Sequence, residues 1–447
     1  MEFLAIILAA GKGSRLKSNL SKPLHEVAGY PLITWVSKAA HAAGASAQIC
    51  VISPDEEQLY SELSNTMKTV TQDVPRGTGD AVRCCLPHIE KLPKDCPILI
   101  LYADTPLIQA DTLRDLANRI KAGTDICLVG FTADDPTGYG RIILSKDKMV
   151  KAIVEDKDAS EEEQKICLVN GGVMAAKAGL LTQLLPKLTA ANSQNEQYLT
   201  ELVSLAANTD AQMDVLVTEE NELAGVNDKV QLAHVEAILQ DRLRAMAMAN
   251  GVTLQAPETI FLSADTSFGA DIVIEPHVVI GRDVSIADNC VIKAFSHLEG
   301  ANVGKNCVVG PYARLRPGTN LRENVSIGNF VETKNTTFED GSKASHLSYL
   351  GDAEIGQKVN IGAGTITCNY DGVNKFKTTI HEGAFIGSNS ALVAPITIGK
   401  DALVGAGSVI TKDVDDNALG ITRSSQKEIK DGASLHYKKA HKKRSGT

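Results

Sequence analysis

An aliphatic residue recurs every six positions through much of the second half of this chain, a period that neither an α-helix nor a coiled coil has. It runs through Ile274, Ile280, Ile286, Ile292 and Leu298, slips by one, and resumes at Val303, Val309, Leu315, Leu321 and Ile327. It returns at Ile355 and Ile361, then at Ile380, Ile386, Leu392, Ile398, Val404 and Ile410. The next residue is often glycine, as in Ile280-Gly281, Val303-Gly304, Ile327-Gly328 and Ile386-Gly387. Six is the hexapeptide period of a parallel β-helix, in which each short strand buries one aliphatic side chain and then turns. Aromatic residues make up only 4% of the chain, which suits a narrow core with little room for rings. The pattern lapses between about 328 and 354 and again at Thr367–Thr379. Breaks in the solenoid are expected there, and such insertions are where sites are built.

A chain of 447 residues is too long for one core, so two or three domains are expected. Its 45 basic and 54 acidic residues give a charge of −9, which offers no general attraction to nucleic acid or to an anionic membrane. The stretch from Lys438 to Arg444 is locally basic and reads as a solvated, disordered end. Nine cysteines are scattered without a C-x-x-C pair, so neither a zinc site nor a disulfide framework is suggested, and a reducing cytoplasm fits. Cys127, Cys290 and Cys307 fall in apolar runs and read as small buried hydrophobes. The apolar run near the start is six residues, too short for a signal core or a membrane span, and no insertion into a membrane is expected.

Up to about residue 225 the pattern alternates. Strand-like runs at Phe3–Leu8, 47–52, 98–102, 126–131 and 214–217 are separated by helix-like stretches at 33–43, 56–67 and 111–121. Such alternation implies a parallel sheet covered on both faces, with ligands bound beyond the carboxyl ends of its strands. Residues 228–249 read as one connecting helix, with Val235, Ile238, Leu239, Arg242, Leu243 and Met246 at three- and four-residue spacing and Asn250-Gly251 as a stop. The expected organisation is 1–226, a linker helix over 227–250, and a solenoid over 251–447.

The first strand runs into Leu8-Ala9-Ala10-Gly11-Lys12-Gly13-Ser14-Arg15-Leu16, followed by Ser21-Lys22-Pro23. A glycine-rich loop lets backbone N–H groups approach a polyanion, and Arg15 and Lys22 neutralise it. Two glycines alone would mark an ordinary strand-to-helix turn; the two cations weigh against that. Further polar groups follow later strand ends: Gln72, Gly77 and Thr78, then Tyr102 and Asp104, then Gly140, Glu155, Asn170 and Asn227. A polyphosphate at such a loop is commonly held together with a divalent cation on hard oxygens, and Asp104 and Asn227 are the candidates. The residues by themselves leave helix capping equally open for both.

In the solenoid half, His346 lies in the first lapse of the pattern, among Arg314, Arg316, Glu332, Lys334, Tyr349, Asn360, Asn369, Tyr370 and Lys375. A base that works near neutrality is most often a histidine, and the cations around it suit an anionic group. One histidine of ten would by default be an unremarkable surface residue; its setting among cations raises it.

The loop from Gly11 to Pro23 resembles the signature of sugar-nucleotide pyrophosphorylases, with Ser14 and Leu16 where threonine and methionine are usual. The stretches Gly310–Gly318 and Tyr349–Tyr370, with the insertion Asn369-Tyr370-Asp371-Gly372 and Lys375, resemble the acetyltransferase half of one branch. The whole chain is thus similar to the family that joins an N-acetylglucosamine-1-phosphate uridyltransferase to a glucosamine-1-phosphate acetyltransferase. ADP-glucose and GDP-mannose pyrophosphorylases, and a non-catalytic regulatory subunit, are the rival readings.

The resemblance implies an α/β Rossmann-like nucleotidyltransferase domain followed by a left-handed parallel β-helix of hexapeptide repeats. It implies synthesis of UDP-N-acetylglucosamine for peptidoglycan and lipopolysaccharide precursors, from glucosamine-1-phosphate, acetyl-CoA and UTP, with Mg²⁺. Leu8, Ala9, Ala10, Gly11, Lys22, Gln72, Gly77, Thr78 and Tyr102 would hold the nucleotide; Gly140, Glu155 and Asn170 the sugar; Asp104 and Asn227 the metal. Arg15 and Lys22 would carry the phosphate chemistry. His346 would be the general base, and Arg316, Lys334, Tyr349, Asn360 and Lys375 would hold glucosamine-1-phosphate. Ala363, Asn369, Tyr370, Ser388, Ala406 and Arg423 would meet acetyl-CoA, with Asn369 also orienting His346 and Ser388 near the oxyanion. Ala103 and Gly171 stand where the family commonly has glycine and threonine. A homotrimer is expected on the same ground.

Overall fold

A computed structural model describes residues 2–11, 13–63, 67–146, 149–190 and 196–444. Lys12 of the loop, 64–66 of the expected second helix and 445–447 lie outside the described residues, while the basic stretch Lys438–Arg444, expected to be disordered, is corrected to part of an exposed helix, Gly432–Arg444. The chain divides into two compact units, Met1–Ala245 and Met246–Thr447.

The first unit is built on a sheet that runs Met213–Val217, Ile126–Thr132, Leu168–Lys177, Pro97–Tyr102, Leu4–Leu8, Ala47–Ile52, Lys68–Thr71 from edge to edge. Alternate residues of Leu4–Leu8 feed two separate cores: Leu4, Ile6 and Leu8 join one, Ala5 and Ile7 the other. A strand buried on both faces has no polar side, which is why it reads as an unbroken apolar run. Helix Leu32–Ala42 and helix Ala110–Lys121 cover one face, through Ile33, Val36, Leu113, Leu116 and Ile120. Thr78–Arg83, Ala178–Leu184 and Glu201–Ala207 cover the other.

One part of the expected parallel sheet is corrected. Leu168–Lys177 runs antiparallel to both of its neighbours. It follows the hairpin Arg141–Leu144/Val150–Val154 through short turns, with no crossover helix to carry the chain back to the starting edge. The connecting helix spans Lys229–Ala249 and buries Val235, Leu239, Leu243 and Ala247 at four-residue spacing. Met246, expected on that stripe, falls beside it and is 55% exposed. Gly251, at φ +96°, ends the helix in a conformation that L side chains avoid.

The second unit is the solenoid. Ten two- to four-residue strands from Thr253–Leu254 to Leu419–Gly420 stack in parallel on one face. A larger sheet wraps the rest of the coil, its long strands Glu332–Phe338 and Tyr349–Ile355 pairing along their whole length. The pairings Ile274↔Ile292 and Ile292↔Val309 set coils of 18 and 17 residues, so the one-residue slip in the sequence is a shortened coil. The expected break between 328 and 354 does not exist. Thr333, Phe338, Ala344 and Leu350 occupy the inward positions there, all 0% exposed. Thr333 is tolerated inside because its hydroxyl shares a 2.9 Å hydrogen bond with that of Thr319, so neither is left unpaired. The second lapse is a true insertion: between Ile366–Cys368 and Thr378–Ile380 the chain leaves the coil as a loop pinned by the Tyr370↔Lys375 bridge. Cys127, Cys290 and Cys307 are buried.

Candidate active sites

In the first unit, the ends of Leu4–Leu8 and Pro97–Tyr102 open onto a cleft of about 520 Å³. Of the residues expected at the nucleotide, Leu8, Ala9, Ala10, Gly11, Lys22, Gln72, Gly77, Thr78, Tyr102 and Asp104 all line it. Lys22 is held against the loop by Gly13, where an added Cβ would stand 2.7 Å from Lys22 Cβ. Gly77 adopts φ +110°, and a Cβ there would meet the Gln197 carbonyl oxygen at 2.6 Å. The buried Gln72 amide ties this turn down, donating to Gly77 O at 3.1 Å and to Asp80 at 2.8 Å. Burial pushes the Tyr102 hydroxyl up to about 12, so it remains a donor, and it is bonded to Thr78.

At one end of the cleft, Lys22 Nζ donates to the Asp104 carboxylate and, at 2.9 Å, to Asn227 Oδ1. Arg15 Nη2 donates to the same Asn227 oxygen at 3.0 Å. A backbone bond from Val226 N to Asp104 O, 2.9 Å, fixes the two segments to each other. Four residues spread over the first unit thus converge at one point. Among the described residues no three His, Cys, Asp or Glu side chains group into a metal centre. Asp104 and Asn227 do aim two hard oxygens at one cation, the lysine ammonium. That donor set suits a divalent cation that draws its other ligands from water and phosphate.

A second hollow adjoins the first, sharing Thr78, Tyr102 and Glu196 and lined also by Glu155 and Asn170. Gly140 is not on its wall but lies just behind: its carbonyl accepts from Asn170 N at 2.8 Å, and a Cβ on it would meet Glu155 Oε2 at 3.4 Å. Glu155 accepts from Thr200 Oγ1 at 3.0 Å. Gly171 is explained by its surroundings, since a Cβ would come within 2.3 Å of Leu223 Cδ1. Glu196 and Pro75, which line the nucleotide cleft, carried no pattern that marked them in the sequence.

In the second unit, strand register explains the clustering. His346 follows Ala344, which pairs with Ile361; Ile361 pairs with Ile386 and Ile386 with Val404. Ala363, Ser388 and Ala406 therefore occupy the same turn as His346 in successive coils, and Arg423 Nη1 closes the row by donating to Ala406 O at 2.8 Å. Around the next turn, Lys334 lies beside Gly351, Arg316 Nη1 bonds Glu332 at 2.8 Å, and a Cβ on Gly351 would meet Tyr349 Oη at 2.4 Å and Asn369 Nδ2 at 2.9 Å. Lys375 reaches back from the insertion loop. Its charge, then that of Arg316, holds the Lys334 ammonium below the ordinary lysine range. Asn360 stands beside Lys343 in the register, and Tyr370 is exposed on the loop. The amide of Asn369 donates to Asp352 at 2.5 Å, whereas the side chain at hydrogen-bond distance from the His346 ring is Asn329, 2.7 Å from Nδ1. Asp352 and Asn329 were not singled out by the sequence; their separation from their partners by one coil is the signal that could have found them.

Residues 5–172 match the MobA-like NTP transferase domain family, and residues 377–412 match the bacterial transferase hexapeptide (six repeats) family. The chain is 46% identical over 432 residues to the bifunctional protein GlmU of Azorhizobium caulinodans, covering 96% of each. It is 48% identical over 446 residues to the bifunctional protein GlmU of Xanthobacter autotrophicus, covering 99% of each. The bifunctional protein GlmU of Bartonella quintana is 44% identical over 433 residues, at 96% of each.

Proposed function

The chain belongs to the GlmU family of bifunctional enzymes, and on that premise we propose how its own residues divide the two reactions that make UDP-N-acetylglucosamine. Acetyl transfer from acetyl-CoA to glucosamine-1-phosphate belongs to the solenoid, and uridylyl transfer from UTP to the first unit.

In the first step the sugar amine attacks the thioester carbonyl. The C–N bond forms, His346 Nε2 takes the ammonium proton, and the C–S bond breaks to release the thiol. Arg316, Lys334 and Lys375 hold the sugar phosphate, with Tyr349 and Asn360 beside it. Ala363, Asn369, Tyr370, Ser388, Ala406 and Arg423 receive acetyl-CoA, and Ser388 donates towards the developing oxyanion. The observation that carries this reading is the row of His346, Ala363, Ser388 and Ala406 on one turn of successive coils.

In the second step the phosphate of N-acetylglucosamine-1-phosphate attacks the α-phosphorus of UTP in line. One P–O bond forms as the α–β bridge breaks, and pyrophosphate leaves. Gly11, Gln72, Gly77, Thr78 and their neighbours hold the nucleotide, and Gly140, Glu155 and Asn170 the sugar. Arg15 and Lys22 neutralise the phosphates. Asp104 and Asn227 would hold Mg²⁺, which lowers the charge at the phosphates when bound. We assign domains of 1–226 and 251–447 joined by a linker helix, a homotrimer in solution, and a cytoplasmic location. Among the described residues no helix is long and apolar enough to cross a membrane.

The test is one incubation of the purified protein with glucosamine-1-phosphate, acetyl-CoA, UTP and Mg²⁺, with free thiol and pyrophosphate followed separately. Release of both, the pyrophosphate depending on acetyl-CoA, is the expected result. Pyrophosphate from N-acetylglucosamine-1-phosphate without any thiol would remove the acetyltransferase half.

A further inference from the structure

His346 is exposed on its turn, and its ring has one hydrogen-bonded side-chain neighbour given by the geometry: Asn329 Oδ1, 2.7 Å from Nδ1. The two residues are register partners on adjacent coils, in strands Ser326–Asn329 and Lys343–His346. Their backbones are bound as well, with Leu347 N donating to Asn329 O at 3.0 Å. Gly328 keeps the coils this close, because a Cβ there would sit 1.9 Å from the carbonyl oxygen of Ser345. An amide oxygen can only accept. Facing Nδ1, it holds the proton on that nitrogen and leaves the Nε2 lone pair bare.

We infer that Asn329 is the positioning residue of the acetyl-transfer reaction: its amide oxygen fixes His346 in the tautomer and ring orientation in which Nε2 takes the substrate's proton. This rests on His346 being the base. Asn369, whose amide is turned to Asp352, is left free to act on the acetyl donor.

The experiment compares Asn329→Ala, Asn329→Asp and the isosteric Asn329→Leu in the full-length protein, with His346→Ala alongside. Thiol release gives kcat and KM for each substrate; uridylyl transfer and the melting temperature check folding. The alanine and leucine variants should lose roughly 10- to 100-fold in kcat, by analogy with the loss when the partner that orients a metal-bound imidazole is removed. Their KM values should stay within about twofold. Aspartate presents acceptor oxygens and no donor, so it should restore most of the rate. Unchanged kcat in both apolar variants, with His346→Ala inactive, would overturn the proposal. So would an aspartate variant as slow as alanine, which would mean that the amide donates to the ring. Full acetylation by His346→Ala would instead sink the assignment of the base itself.

Discussion

The carbonyl oxygen of Ser345 occupies the space that a side chain on Gly328 would need, 1.9 Å from where its Cβ would stand. Neighbouring coils touch there through backbone, and the contact lies next to the His346 turn. Gly328→Ala must therefore push the coils apart. It should lower the unfolding temperature of the second unit, at about 1–3 kcal/mol for an overpacked site, and slow thiol release while uridylyl transfer is kept. Thermal unfolding together with the two assays checks this.

The convergence of Lys22 and Arg15 on Asp104 and Asn227 places the cost of losing Asp104 in one reaction. Asp104→Ala should reduce pyrophosphate release by about 100-fold or more, since a metal on phosphate is worth several kcal/mol, and leave thiol release intact. Binding of Mn²⁺, followed by electron paramagnetic resonance with UTP present, should weaken in parallel. Equal loss of both activities would mean that the variant has disturbed the fold.

His346→Ala should produce the opposite split. Thiol release should fall by about 10²–10⁴-fold, the range of a general base, with pyrophosphate release from N-acetylglucosamine-1-phosphate unaffected.

Gly77 combines φ +110° with the Gln197 carbonyl 2.6 Å from an added Cβ. Gly77→Ala meets both strain and collision, and should raise the KM for UTP by roughly tenfold, within the range of about 1–3 kcal/mol that a side chain costs in this glycine-only backbone region. Steady-state kinetics at fixed sugar phosphate reads this directly.

The charges of Lys375 and Arg316 lower the Lys334 ammonium from its ordinary value. With the folded value below the unfolded one, protonation of Lys334 opposes folding at lower pH. That opposition disappears as pH rises through the depressed value towards the ordinary lysine range. For binding the sign is reversed, because the sugar phosphate wants the cation. KM for glucosamine-1-phosphate should therefore climb on the alkaline side at a lower pH than a free lysine would dictate. Lys375→Met should raise KM overall while moving that climb to higher pH. A KM–pH profile of both proteins decides it.

The six-residue period was legible because each short strand offers the core one side chain, which a shortened coil and an insertion do not obscure. The pattern lapsed over 328–354 although the coil did not. Thr333 and Ala344 stand inward where a larger aliphatic was sought, and a threonine hydroxyl is tolerated inside when it is hydrogen-bonded. The nucleotide cleft could be named in advance because a doubly covered sheet leaves only its strand ends free for ligands. The reversal of Leu168–Lys177 could not be, since a buried strand has the same composition in either direction.

By itself, then, the amino-acid sequence determined the two architectures and the chemical types gathered in each half, because periodicity and strand-end residues are local properties of a chain. Only the tertiary structure decided which of those residues meet. Asn329 and His346 are 17 positions apart, and Lys22 and Asp104 are 82 apart. They become partners through coil length in one case and through adjacent strand ends in the other, and both are set by the packing of the whole unit.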